Sequence, residues 1–123
     1  MTTLQKKNLN LWMNRVMAWV LIVLSCLVLG TQAYAAEIQM GSGGMLVFEP
    51  CELTVDVGET VTFINNELPP HNVMFVDNPE LSHSDLAFSP GDSFDVTFEK
   101  AGDYAFQCDP HAGAGMKGVI HVQ

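Results

Sequence analysis

Three residues whose side chains bind soft metal ions lie close together near the C-terminus. Cys108, His111 and Met116 fall within the segment YAFQCDPHAGAGMKG (104–118), and His71 lies upstream at the start of a short apolar segment. Two imidazoles and a thiolate around an ion, with a thioether on the axis, form the donor set of a blue-copper electron-transfer centre. The residue types and their spacing therefore predict a mononuclear metal site.

These donor types suit an ion that changes its charge by one. Cu(I) prefers sulfur and Cu(II) prefers nitrogen, so a trigonal site with both, and a distant fourth ligand, needs little rearrangement when an electron arrives or leaves. Pro110 restricts the backbone before His111. Gly113 and Gly115 permit sharp turns before Met116. We therefore expect the folded chain, rather than the ion, to set the geometry.

Short strands separated by turn residues must position these side chains. Segments 52–57 and 93–98 alternate apolar and polar residues at period two, which is typical of half-buried strands. The predicted strands are 45–48, 52–57, 60–64, 71–76, 93–98, 103–108 and 118–122, with a connection at 77–92. The residues expected to face inward are Leu46, Phe48, Leu53, Val55, Val57, Val61, Phe63, Val73, Phe75, Phe94, Val96, Phe98, Tyr104, Phe106, Val119 and Val122. The pattern predicts an all-β sandwich or small barrel of about seven to eight strands.

The N-terminal segment has the organisation of a secretory leader. Residues 1–15 are polar and basic, residues 16–30 are apolar apart from one serine, and small residues follow around Ala35. This order predicts a signal peptide over residues 1–36, cleaved after Ala35 or Ala36, and a mature domain over residues 37–123. An uncleaved N-terminal anchor is the alternative, although the apolar segment is shorter than a usual membrane span.

The charge of the mature segment excludes two classes of binding partner. All 14 acidic residues lie at or after Glu37, whereas Lys100 and Lys117 are the only basic residues there. A sequence-general nucleic-acid binder needs a basic face, and so does a protein that docks on anionic lipid. We therefore expect no nucleic-acid partner and no stable membrane insertion of the mature domain, but macromolecular partners that offer positive charge.

The two cysteines of the mature segment allow a second interpretation. In an exported chain of this size, Cys51 and Cys108 could form a disulfide bond. If Cys108 binds the ion instead, Cys51 is expected to be a packed small residue without a role. His83 and His121 fit no ligand spacing and are interpreted as a loop residue and a strand-face residue.

The loop from Cys108 to Gly118 resembles the copper loop of the plastocyanin family, which has the pattern C-x-P-H-x-G-A-G-M-x-G. The Pro-His-Asn of residues 70–72 matches the family's other copper-ligand motif. Residues 46–50 and 58–61 are similar to its early strands, so the resemblance covers nearly all of residues 37–123.

The resemblance implies a cupredoxin-like Greek-key sandwich that binds one copper ion, Cu⁺ or Cu²⁺. The copper ligands implied are His71, Cys108, His111 and Met116. Asn72 would hydrogen-bond near the thiolate and tie the two ligand segments together. The implied electron port is an apolar docking patch around the edge of His111, made by Leu46, Pro70 and Ala112.

The resemblance also implies a role and a compartment. The family carries one electron from cytochrome f of the cytochrome b6f complex to photosystem I in the thylakoid lumen. We accordingly expect a monomeric carrier, not an enzyme, in the thylakoid lumen of a cyanobacterium-type cell, with the periplasm as the alternative. Another small blue-copper carrier, pseudoazurin-like and serving a respiratory partner, and an exported copper-binding buffer stay open. Gln107 and Ala112 depart from the family, which usually has Tyr before the cysteine and, in cyanobacterial members, often Arg after the loop histidine.

Overall fold

A computed structural model describes residues 2–26, 35–67 and 69–123, with no description of the side chains of residues 18–26. The chain forms two compact units, Met1–Ala33 and Tyr34–Gln123. In the first, helix α1 spans Thr3–Cys26. Within the described part of the chain, no helix combines the length and the apolar character needed to cross a bilayer. The end of the predicted leader, residues 27–34, lies outside the described residues.

The second unit is a β-sandwich of two sheets, and the predicted fold class is confirmed. Its strands are β1 (Ala36–Met40), β2 (Phe48–Glu49), β3 (Glu52–Val55), β4 (Thr60–Asn65), β5 (His71–Phe75), β6 (His83–Ala87), β7 (Ser93–Thr97), β8 (Gly102–Gln107) and β9 (Lys117–Val122). One sheet has the order β2-β1-β4-β7 and the other the order β3-β9-β8-β5-β6. Short 3₁₀ helices lie at Ser42–Gly44, Pro79–Leu81 and Asp109–Ala114.

The pairing of β5 with β8 places the predicted metal-binding residues at one end of the sandwich. The two strands are antiparallel, with Met74 opposite Gln107 and Phe75 opposite Phe106. The start of β5 therefore lies beside the end of β8. Strand β9 pairs antiparallel with β8, with Lys117 opposite Gln107. The loop between β8 and β9 consequently leaves and re-enters the sheet next to His71.

Aromatic rings fill the space between the two sheets. Phe63 of β4 contacts Phe106 of β8 edge to face at a centroid distance of 5.4 Å. It stacks on Phe94 of β7 at 5.3 Å, and Phe48 meets Phe106 at 4.8 Å. Such pairs contribute about 0.5–1.5 kcal/mol each beyond the burial of their area. The pairs of Phe106 with Phe63 and with Phe48 join the two sheets, whereas Phe63 and Phe94 lie on neighbouring strands of one sheet. Together these rings support the strands that carry the metal-binding end.

Three strands differ from the sequence-based prediction. Strand β2 covers only Phe48–Glu49, rather than the predicted 45–48. Strand β1 lies outside the predicted strands and begins at Ala36, the last residue of the predicted leader; its Ile38 pairs with Phe63 and is fully buried. Strand β6 lies in the predicted connection 77–92, where its three central residues are exposed. An edge strand of this kind lacks the alternation that identifies a half-buried strand. His83 accordingly lies on β6, not in a loop, and stacks on Phe94 at 4.1 Å.

Two side chains predicted to be inside are exposed. Val57 is 47% exposed, because β3 ends at Val55 and the chain turns before Glu59, whose N–H donates to the Asp56 carbonyl. Cys51 is also exposed, and both Cys51 and Cys108 are free thiols. The disulfide interpretation is therefore wrong, and so is the expectation that Cys51 is packed.

His121 joins three strands on the outer face of the five-stranded sheet. Its Nδ1 lies 2.6 Å from Asp103 Oδ1 on β8, and its Nε2 lies 2.8 Å from Glu52 Oε1 on β3. The hydrogen bonds to Asp103 and then to Glu52 raise the pKa of His121 above its ordinary value of 6.5, because both carboxylates favour the imidazolium. This side chain is partly exposed, so solvent screens the two ion pairs.

We predict that His121 makes the stability of the domain depend on pH. A pKa raised in the folded state contributes stability that is complete below 6.5 and is lost as the pH rises through the folded-state value. The difference in melting temperature between the wild type and His121→Gln should therefore shrink as the pH rises from below 6.5 to well above it. Thermal unfolding at several pH values tests this, and a difference that does not change with pH contradicts it.

Candidate metal centre

Four side chains predicted to bind the ion come from one strand and one loop. His71 is the first residue of β5, Cys108 directly follows β8, His111 lies in the 3₁₀ helix Asp109–Ala114, and Met116 precedes β9. The side chains of His71, Cys108 and Met116 are fully buried. His111 is half-buried and is therefore the one of the four that reaches solvent.

The loop between β8 and β9 is closed by its own backbone. The Cys108 N–H donates to the Met116 carbonyl at 3.1 Å, and the His111 N–H donates to the Cys108 carbonyl at 3.0 Å. Pro110 occupies the first turn of the 3₁₀ helix, where its missing N–H has no cost. Gly115 ends that helix with φ +90°, a conformation that favours glycine. These features bring both ends of the loop together.

Three donor atoms form a small triangle. Cys108 Sγ lies 3.3 Å from His111 Nδ1 and 3.7 Å from His71 Nδ1, and the two Nδ1 atoms are 3.2 Å apart. A point equidistant from all three lies about 2 Å from each, close to the length of a metal–nitrogen bond. Among the described residues, these three form the group whose geometry could hold a metal ion.

Burial favours the neutral forms of both His71 and Cys108. It lowers the pKa of His71, and the neighbouring His111 lowers it further. Burial also raises the pKa of the Cys108 thiol, and the carboxylate of Asp109 adds a smaller rise. The backbone N–H groups of Asn72 and His111 partly offset this rise, because they favour the thiolate. A cation bound among these donors would supply the positive charge that a buried thiolate needs.

The back of the His71 ring is packed against a glycine. His71 Nε2 is buried and makes no hydrogen bond. The backbone carbonyl of Glu67 lies near the ring and partly offsets the lowering of the pKa of His71. A Cβ at Gly41 would lie 2.5 Å from His71 Nε2 and 3.0 Å from the Glu67 carbonyl oxygen. Gly41 also has φ +77°. The sequence analysis missed this residue, because only its contact with the ring shows its role.

Asn72 connects the strand to the loop. Its Oδ1 accepts a hydrogen bond from the Asp109 N–H at 2.9 Å, and its Nδ2 donates to the Ser84 carbonyl at 3.2 Å. One side chain therefore links β5, β6 and the segment that follows Cys108. This fixes His71 and Cys108 relative to each other.

The surface beside the site contains apolar side chains from several loops. Leu46, Pro70 and Ala112, the predicted docking patch, are all half-buried. Phe88, which the sequence analysis did not single out, is 59% exposed and follows Ala87, the residue paired with His71. The structure thus leaves apolar surface available around this end of the sandwich.

Comparison with known proteins gives one consistent family. Residues 34–123 match the family described as copper binding proteins, plastocyanin/azurin family. A chloroplastic plastocyanin of Physcomitrium patens is 44% identical over 107 residues, covering 80% of this chain and 64% of that protein. A plastocyanin of Scenedesmus fuscus is 46% identical over 95 residues, covering 70% of this chain and 97% of that protein.

A solved structure has the same fold. The oxidised form of plastocyanin from Dryopteris crassirhizoma superimposes with a TM-score of 0.64 at 31% identity, covering 72% of this chain and all of that one. Copper is the ion that the family binds, and a thiol with two imidazoles in the observed triangle fits one copper ion. The chain belongs to the plastocyanin/azurin family of copper-binding proteins.

Proposed function

We propose that this protein is a one-electron carrier whose copper ion is bound by His71 Nδ1, Cys108 Sγ and His111 Nδ1, with Met116 as a weak fourth ligand. The observation that supports this most strongly is the triangle of donor atoms, with sides of 3.2, 3.3 and 3.7 Å, held by a buried strand end and a closed loop. When bound, copper supplies a couple that gains or loses one electron.

The chain's own residues favour electron transfer over catalysis. The buried side chains of His71, Cys108 and Met116 exclude water from most of the site. Four ligands leave no open position for a substrate, which a catalytic metal site requires. The half-buried ring of His111 is then the shortest path between the metal centre and a partner at the surface.

We further propose that the carrier accepts its electron from cytochrome f and delivers it to photosystem I in the thylakoid lumen. The relatives that are named plastocyanins support this role. Leu46, Pro70 and Ala112 would contact the partner around His111, and the acidic mature segment would attract a partner with positive charge.

We also propose that the N-terminal segment is a secretory leader that is removed from the mature protein. Residues 1–36 would be a signal peptide, and the domain would begin at residue 37 or one residue earlier. Cleavage after Ala35 would preserve all of β1, because Ala36 already pairs with Val61 of β4. The first residue of the purified mature protein distinguishes this cleavage from an uncleaved anchor.

Rapid-mixing kinetics of the copper-loaded mature domain test the function directly. The oxidised protein should show an intense visible band from thiolate-to-copper charge transfer, and it should react faster with cytochrome f and photosystem I than with a respiratory oxidase. The reverse order of rates would favour a pseudoazurin-like carrier. A colourless Cu(II) form would favour a copper buffer instead.

Cys108→Ser should remove the visible band, because a hydroxyl cannot supply the thiolate that produces it. Absorption spectra of the copper-loaded variant measure this. Cys51→Ser is the matched control, since Cys51 is an exposed free thiol, and it should keep the full band. A normal band in the Cys108 variant would contradict the assignment of the thiolate ligand.

Met116→Leu should retain copper and the band but raise the reduction potential, because Met116 would be the weak fourth ligand, which tunes the potential. Leucine keeps the volume of this fully buried side chain, so the domain should fold normally. A spectroelectrochemical titration measures the potential. An unchanged potential would show that Met116 is not the fourth ligand.

Gly41→Ala should destabilise the domain and weaken copper binding, because the new methyl group would meet His71 Nε2. Gly43→Ala is the matched control: Gly43 also has positive φ, at 62°, but a Cβ there meets nothing within 4 Å. In both variants, backbone strain at positive φ should lower the free energy of unfolding by about 1–2 kcal/mol. Chemical unfolding should show a larger loss of stability for Gly41→Ala than for Gly43→Ala, and copper titration should show weaker binding for Gly41→Ala only. Equal effects in the two variants would contradict the contact between position 41 and the His71 ring.

A further inference from the structure

Two polar side chains flank Cys108, and the proposed function assigns neither of them a role. Gln107 ends β8 and is half-buried, whereas Asp109 begins the 3₁₀ helix and is exposed. Gln107 Nε2 donates a hydrogen bond to Asp109 Oδ1 at 3.1 Å. The carboxylate is thereby connected to the residue on the other side of Cys108.

Asp109 is also held through its backbone. Its N–H donates to Asn72 Oδ1 at 2.9 Å, so the residue is anchored to β5 as well as to β8. An exposed carboxylate would otherwise sample several rotamers in solvent. With both contacts, its negative charge has a defined place one residue from Cys108 and two residues from His111.

The charge of Asp109 has no cationic partner nearby. In the described part of the chain, the side-chain ion pairs are those of His121, and no lysine or arginine lies within ion-pair distance of Asp109. A fixed negative charge favours whichever state of a neighbouring centre is more positive.

Building on the proposed function, we propose that Asp109 sets the reduction potential of the metal centre: its carboxylate, held in place by Gln107, stabilises Cu(II) relative to Cu(I) and so lowers the potential. Asp109 acts through space on the ligands, and Gln107 is a positioning residue that keeps the carboxylate beside the thiolate.

Potentials of four copper-loaded variants test this proposal. Asp109→Asn removes the charge but keeps the oxygen that accepts from Gln107, and it should raise the potential. Asp109→Glu keeps the charge and should stay closer to the wild type. Gln107→Leu should shift the potential in the same direction as Asp109→Asn but less, because the freed carboxylate can turn into solvent. Glu99→Gln is the matched control, since it removes the same charge from the turn before β8, at the opposite end of the sandwich.

The outcomes separate this proposal from the proposed function. A visible band in every variant, with a raised potential for Asp109→Asn and Gln107→Leu and a smaller change or none for Asp109→Glu and Glu99→Gln, supports both. A normal band with no shift for Asp109→Asn, or an equal shift for Glu99→Gln, overturns the role of Asp109 and leaves the carrier function standing. An unshifted Gln107→Leu overturns the positioning role of Gln107. Absence of the band in the wild type overturns both proposals.

Discussion

The antiparallel pairing of β5 with β8 is the constraint on which the metal centre depends. It places His71, the first residue of β5, beside Cys108, the residue that follows β8. The hydrogen bond from the Asp109 N–H to Asn72 then fixes the loop to the strand. Because the two histidines are 40 residues apart in sequence, only this pairing brings their Nδ1 atoms to 3.2 Å.

The packed core of the sandwich supports the strands that hold the metal-binding residues and keeps water away from most of the site. The rings of Phe48, Phe63 and Phe106 pack between the sheets directly behind the strands that carry the site. Burial favours the neutral imidazole of His71, the form that binds a cation, whereas the Cys108 thiol would release its proton when a cation binds. A site whose donors are held by a paired strand end and a closed loop needs little movement when an electron is gained or lost, which is the property a carrier requires.

Much of this was predictable from the sequence because the site residues form a local pattern. Cys108, His111 and Met116 lie on one loop, and alternation identified most of the strands. Strand β6 escaped prediction because it is an edge strand with exposed central residues. Strand β1 escaped because its first residue coincides with the end of the leader pattern.

The features that the sequence could not predict are contacts between distant segments. The approach of Gly41 to the back of the His71 ring depends on how the first sheet packs against the second. The hydrogen bond between Gln107 and Asp109 depends on the turn that the chain makes after β8. Neither produces a periodic or compositional signal, so each required three-dimensional structure.

X-ray absorption of the copper-loaded mature domain tests the central claim most directly, because it counts the atoms bonded to the ion. If the donor triangle binds copper, the inner shell contains one sulfur and two imidazole nitrogens at short distances. An inner shell of nitrogen and oxygen alone would contradict this account, since it would place the ion away from Cys108.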